Sequence, residues 1–358
     1  MHKFESSEIN PSENAEAKEN MRERIQPEAA EHAVAGNQKD LGGSAVAIEH
    51  FIADIDETPV VATDSSVTDE APLSLWKDAW RQLRTKPTFI FSVILIVLAV
   101  VIAFFPQLFW TENPASGQCL LENSNGKAGS GHIMGFTAQG CDVYSRVIAG
   151  TRASLTVGLF ATLGVVVIGG IVGAIAGYFG GWVDAVLARL GDIFFALPLI
   201  LGALVIMQLP AFRENRGVWT LVLILVLLGW PQVARIMRGA VVEVRNADYV
   251  TSARSLGVSS FGILMKHIIP NAMAPVIVIA TISLGTFIVA ESTLSYLGIG
   301  LPPEIMSWGN DISDGKDAFR SNPMPVFWPG LALSLTVLSF IMLGDALRDA
   351  LDPKSRKK

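Results

Sequence analysis

The chain has 358 residues, of which 51% are apolar and only 17% charged, with a mean hydropathy of +0.44. Ordinary soluble domains carry about 25% charged residues, so the composition excludes a typical water-soluble enzyme. The net charge of −6 is uneven: residues 1–72 hold sixteen acidic and five basic side chains, the remainder seventeen acidic and twenty-two basic, so the low pI describes the first segment and argues for no basic ligand.

Residues 1–72 have few aromatics and no sustained apolar period, which predicts a disordered acidic tail. No apolar stretch begins near Met1, so no cleavable signal peptide is expected. In segment 73–87, Leu73, Trp76, Trp80 and Leu83 recur at helical spacing with bases between them. That pattern predicts a short helix on the inner membrane surface, with Trp at headgroup level.

From residue 88 to 353 the chain reads as a transmembrane helical bundle. A crossing helix needs about 20 apolar residues, and six stretches approach that: about 88–110, 154–179, 193–212, 217–236, 270–291 and 325–345. The fourth is the shortest in its apolar part, and Pro198 falls inside the third. Unpaired backbone groups are costly in lipid, so each stretch is expected to be helical, giving an all-α fold. Lys77, Arg81, Arg84 and Lys86 crowd before the first span. Arg235, Arg238, Arg245, Arg254 and Lys266 follow the fourth, and the chain ends on a basic stretch at 354–358. This bias predicts that both termini lie in the cytoplasm of a cell whose plasma membrane the chain crosses several times.

In the second span Gly169, Gly173 and Gly177 lie four apart, on one face, which lets another helix backbone come close. Between spans one and two, in a loop the topology places outside, stand the only two cysteines, Cys119 and Cys141. On an oxidising face they suggest a disulfide, worth about 3 kcal/mol in the chain-entropy model. Metal ligation is the weaker reading, because His132 is the only nearby imidazole and no CxxC pair exists. Asp192, Glu291 and Asp345 flank or enter spans. Ionisable groups at such depth are functional candidates, and Glu291 is the candidate for the translocation path.

The loop between spans four and five is the most informative. Asp248, Tyr249, Ala253, Arg254 and Leu256 lie in or at the end of a predicted helix stopped by Gly257, which suits a left-handed position. Ser259 or Ser260 can cap a second short helix, and Pro270 sits where the next span begins. The prediction is a structured helix–turn–helix projecting from the membrane, with small residues at Ser252, Ala253, Ser255 and Gly257 to fit a partner's groove.

This loop resembles the EAA motif of ABC importer permeases. Ala253, Gly257 and Pro270 match its spacing, while Thr251-Ser252 stand in place of the leading Glu-Ala. Ala290-Glu291-Ser292-Thr293-Leu294-Ser295-Tyr296-Leu297-Gly298, Ser307-Trp308-Gly309 and the run Leu343–Pro353 resemble the dipeptide/oligopeptide/nickel branch. The long loop after span one, with Asp142-Val143 and Ser145-Arg146, resembles the second of its two permease subunits. One departure is Cys141, which stands where the family often has Arg.

The resemblance implies an importer permease of the type I fold, forming half a pore for di- or oligopeptides; nickel or another small solute is the alternative cargo. It implies a homologous permease as partner in a heterodimer, two ATP-binding subunits carrying ATP and Mg, and an extracytoplasmic substrate-binding protein. The loop would be the coupling element that docks on an ATPase. The chain itself carries no GxxxxGK[ST] loop, no HExxH and no recognisable Ser/His/Asp set. No cofactor, metal site, catalytic residue or nucleic-acid contact is therefore expected in it. A secondary transporter is a competing class, but it calls for inverted repeats with broken helices, and no such repeat is seen.

Overall fold

A computed structural model describes residues 75–112, 114, 119–129 and 131–351. The expected acidic tail and basic C-terminus lie outside the described residues, as does Leu73.

Among the described residues the fold is helical, without strands; two isolated bridges, Gly129 to His132 and Phe136 to Asp142, shape the long loop after the first span. In chain order the helices are α1 (Leu75–Leu83), α2 (Pro87–Phe104), α3 (Val143–Phe179), α4 (Gly181–Phe195), α5 (Leu199–Met207), α6 (Pro210–Arg213), α7 (Val218–Arg245), α8 (Asp248–Ser255), α9 (Ser260–Ile263), α10 (Ile269–Tyr296), α11 (Trp308–Gly315) and α12 (Met324–Leu351). A π-helical turn, Leu264–Ile268, joins α9 to α10. Five helical segments are long and apolar enough to cross a membrane: α2, α3, α7, α12, and α10 with the turns before it.

The third of the six expected crossings departs from expectation. Stretch 193–212 is not one helix: α4 ends at Phe195, α5 begins at Leu199, and the two axes bend by 76°. Pro198 is the reason. It has no N–H to continue α4, and it disfavours helical geometry at the residue before it. Alone, α5 with its nine residues spans about 14 Å, well short of the roughly 30 Å hydrocarbon core. The six-span count is met only if the bent pair makes one crossing.

The first span ends earlier than expected, at Phe104 rather than near 110, with a separate 3-10 turn at Pro106–Leu108, while the second, fourth, fifth and sixth overrun their apolar stretches. The second begins at Val143 rather than near 154, because Asp142 caps it by accepting a hydrogen bond from the Ser145 amide at 2.8 Å. It runs for 37 residues. The fourth continues to Arg245.

The core lies between α3, α5, α7 and α10, where Val157, Val165, Leu221, Ile224, Phe287 and Leu294 are buried. The helices α3 and α7 pack most closely. A Cβ at Gly169, Gly173 or Gly177 would stand 2.6, 2.4 and 2.8 Å from the carbonyls of Trp230, Ala234 and Arg238, so the backbones meet because these positions lack side chains. By contrast α2 is apolar on all faces and buries only Ser92; Ile94, Val97, Leu98 and Phe104 are exposed. Such a helix needs lipid or another subunit around it.

The helix α1 packs against the last span. Its Ala79 and Leu83 are buried against Ala346 and Ala350 of α12, while Trp80 stays exposed and meets Phe89 edge-on. Lys86 and Asp349, 3.1 Å apart, pair the start of α2 with the end of α12.

Candidate functional site

Two clusters stand at opposite ends of α10, which spans about 42 Å for its 28 residues. At its start is the α8–α9 loop. At its finish is a knot of serines around Glu291.

The loop is built by local chemistry. α7 is anchored at its last residue: Arg245 donates from Nη1 to the carbonyls of Gly177 and Tyr178 at 3.2 and 2.8 Å, at the C-terminal end of α3. A cation there also meets the negative end of the helix dipole. The pair Asp184–Arg238 and the pair Asp192–Arg235, 3.4 Å apart, tie α4 to α7 nearby. α8 then ends in a Schellman arrangement: the Val258 amide reaches the Ala253 carbonyl at 3.2 Å and the Gly257 amide the Arg254 carbonyl at 3.1 Å. This closure requires a left-handed residue, and Gly257 has φ +80. Ser259 caps α9 by accepting from the Gly262 amide at 3.2 Å, and Pro270 falls in the first turn of α10, where its missing N–H costs nothing.

Burial divides the loop into two faces. Val250, Ala253, Ile263, Leu264 and Ile268 are buried, all but Ala253 in the main core. Tyr249, Leu256, Phe261 and Met265 are exposed, Leu256 at 83% and Phe261 at 73%. Asp248, Ser252 and Arg254 are exposed beside them. The expected docking face therefore needs a correction. Ala253 points into its own bundle and is not offered to a partner. Gly257 has nothing within 4 Å of a Cβ position, so its constraint is backbone angle rather than space.

At the other end, Glu291 is fully buried in α10. Ser154 of α3 and Ser292 donate to its Oε2 at 2.9 and 3.1 Å, and Ser295 donates to Oε1 at 2.9 Å. No basic side chain among the described residues pairs with it. Hydroxyl donors thus replace water around this carboxylate. The same serines hold the following segment. Ser295 accepts from the Leu301 amide at 3.1 Å, and Ser154 from the Trp308 amide at 3.3 Å. The Trp308 indole donates to the Val147 carbonyl at 3.0 Å. A Cβ on Gly309 would lie 2.6 Å from Ser292 Cα, so the segment seats directly on α10. Arg146 of α3 donates to Asp311 at 2.7 Å and pairs with Asp314 at 3.2 Å, clamping α11 from the side.

Expected to line a path, Glu291 is instead shielded on every side in this conformation. Ser154, Trp308 and the pair Arg146–Asp311 were not visible as site residues in the sequence. The signal that existed was Ser292 and Ser295, one and four residues after Glu291. Asp192 is exposed and pairs with Arg235. Asp345 forms no ion pair with Arg348 among the described residues.

At this same end Cys119 and Cys141 are disulfide-bonded, closing a loop with a sequence separation of 22. Its neck is fixed to the cap of α3: Asp142 accepts from Thr111 at 3.3 Å and lies 3.1 Å from His132. Among the described residues no group of His, Cys, Asp and Glu has the arrangement of a metal site.

With this geometry in place, similarity to known proteins narrows the chemistry. Residues 169–357 match the family described as binding-protein-dependent transport system inner membrane component. Residues 74–124 match the N-terminal transmembrane domain of oligopeptide transport permease C. The chain is 36% identical, over 83% of its length and 95% of the relative, to the oligopeptide transport system permease protein OppC of Bacillus subtilis. It is 32% identical, over 82% of its length and 96% of the relative, to the glutathione transport system permease protein GsiD of Pectobacterium atrosepticum. It is 34% identical, over 79% of its length and 91% of the relative, to the dipeptide transport system permease protein DppC of Alkalihalophilus pseudofirmus.

Proposed function

The chain belongs to the family of binding-protein-dependent transport system inner membrane components, as a permease subunit, and we propose that it forms half of a membrane pore through which an ATP-driven importer takes up di- and oligopeptides. The other half is a homologous permease. ATP and Mg are held by two separate subunits at the α8–α9 end, in the cytoplasm with both termini. An extracytoplasmic binding protein delivers cargo at the disulfide end. Segment 88–353 is the permease domain, and 73–87 its interfacial lead.

One observation carries this reading: a projecting loop that is rigid on its buried face and apolar on its exposed face. Val250, Ile263 and Ile268 root it in the core, while Leu256 and Phe261 stand in solvent with nothing to cover them. A rigid loop with an uncovered apolar tip suits docking into a cleft. When ATPase subunits close, displacement of that tip moves α7 and α10 together. α10 carries the displacement to Glu291, and from there to segment 297–315 over the far end. The loop acts as a mechanical link, and the Glu291 knot as the coupling of α10 to the outer segment. In this role Glu291 positions the entrance rather than touching cargo.

The cargo follows from the relatives, which are permease proteins of oligopeptide, glutathione and dipeptide transport systems. Proteoliposomes holding the full complex, with ATP on the α8–α9 side, are expected to take up labelled peptide supplied with binding protein. Uptake driven by an ion gradient without ATP would instead identify a secondary transporter.

A further inference from the structure

A groove of about 440 Å³ opens between α2, α3, α10 and α12 toward the disulfide end. Ile96, Val100, Phe104, Leu155, Phe160 and Phe340 make its wall, and its volume is that of a small-molecule site. The one charged side chain on it is Arg152. That guanidinium is exposed, and it makes no hydrogen bond or ion pair with any described residue. Its level is fixed by the chain: from Ala153 the helix runs uncharged to Phe179, so Arg152 is the last charge before the apolar run of α3. Phe104, which also lines the groove, is the last residue of α2. Arg152 therefore stands where hydrocarbon gives way to headgroups, above an apolar slot that descends into the leaflet.

We propose that this groove binds one anionic phospholipid of the leaflet at the disulfide end, its phosphate on Arg152 and an acyl chain along Val100, Leu155 and Phe340. Charge complementarity selects the occupant. An unpaired cation at headgroup depth calls for an anion, and the wall beneath it offers a hydrocarbon chain no polar group but Thr156. A peptide would leave its backbone amides unsatisfied against such a wall. A guanidinium also suits phosphate geometry, which it can meet with two parallel donors.

The test uses the full chain, purified with its partner subunits, in nanodiscs containing phosphatidylglycerol and phosphatidylcholine. Native mass spectrometry counts the retained lipid. Wild type is expected to hold one phosphatidylglycerol in preference to phosphatidylcholine. Arg152→Gln should weaken that preference about fivefold, the value of one interfacial cation, and Arg152→Lys should keep most of it. Ala103→Trp, which fills the slot and leaves the cation, should expel the lipid. The proposal is overturned if wild type shows no preference, if Arg152→Gln and Ala103→Trp both retain lipid as wild type does, or if a photo-crosslinker at Val100 captures the partner permease instead of lipid.

Discussion

Ser154 of α3 donates a hydrogen bond of 2.9 Å to Glu291 of α10, a residue 137 positions further along the chain. Through that contact two crossing helices share one buried carboxylate, and the Trp308 amide closes on the same serine. At the end of the bundle opposite the coupling loop, this polar hub works beside the Arg146–Asp311 clamp.

Replacing Glu291 separates structure from transport. Glu291→Gln keeps the shape and one acceptor oxygen, so the subunit should still assemble while peptide uptake falls. Glu291→Ala strands Ser154, Ser292 and Ser295, and each unsatisfied buried group costs about 1–3 kcal/mol. That variant should melt earlier by fluorescence thermal shift. Wild-type uptake in Glu291→Gln would remove the positioning role.

Gly257 should respond to backbone angle and not to size. Its φ of +80 is unfavourable for a side chain by about 1–2 kcal/mol, yet no atom blocks a Cβ. Gly257→Asn is therefore expected to be milder than Gly257→Val. The Val variant should loosen the α8 terminus and uncouple ATP hydrolysis from uptake, measured side by side in proteoliposomes. Equal coupling in Val and Asn variants would contradict the left-handed requirement.

The two faces of the loop predict opposite phenotypes. Leu256→Asp and Phe261→Asp alter exposed side chains, so the subunit should accumulate normally but lose ATPase co-purification. Val250→Asp places a carboxylate in the core and should reduce the amount of folded subunit, read by membrane abundance. Normal co-purification in Leu256→Asp would show that the exposed face is not the docking face.

The disulfide should be present in mature membranes. Alkylation without reductant is expected to leave Cys119 and Cys141 unmodified, and the double Ser variant to lose about 3 kcal/mol of stability on the chain-entropy estimate. Full labelling before reduction would contradict the bond.

What the sequence made legible was local. Gly257, Ser259 and Pro270 each obey a rule that acts within a few residues, and the structure places each in the expected cap or turn. Two cysteines in one loop leave a single intramolecular pairing. The third stretch holds a 76° bend whose size apolarity alone does not register, although Pro198 marks its place. Ala253 was expected on the partner-facing side, yet it is buried with Val250, three residues before it, on the inward face of α8. The Glu291 hub was illegible for another reason: Ser154 and Trp308 reach it only after α3, α10 and the segment to α11 have packed. No spacing rule links residues so far apart in the chain.

Coupling requires the loop tip to meet a separate ATPase. A photo-crosslinking residue in place of Leu256, in intact membranes, tests that contact directly. The expected result is a crosslink to an ATP-binding subunit that changes in yield when ATP is supplied. A crosslink to lipid or to the chain itself, with no ATP-binding subunit captured, would contradict it.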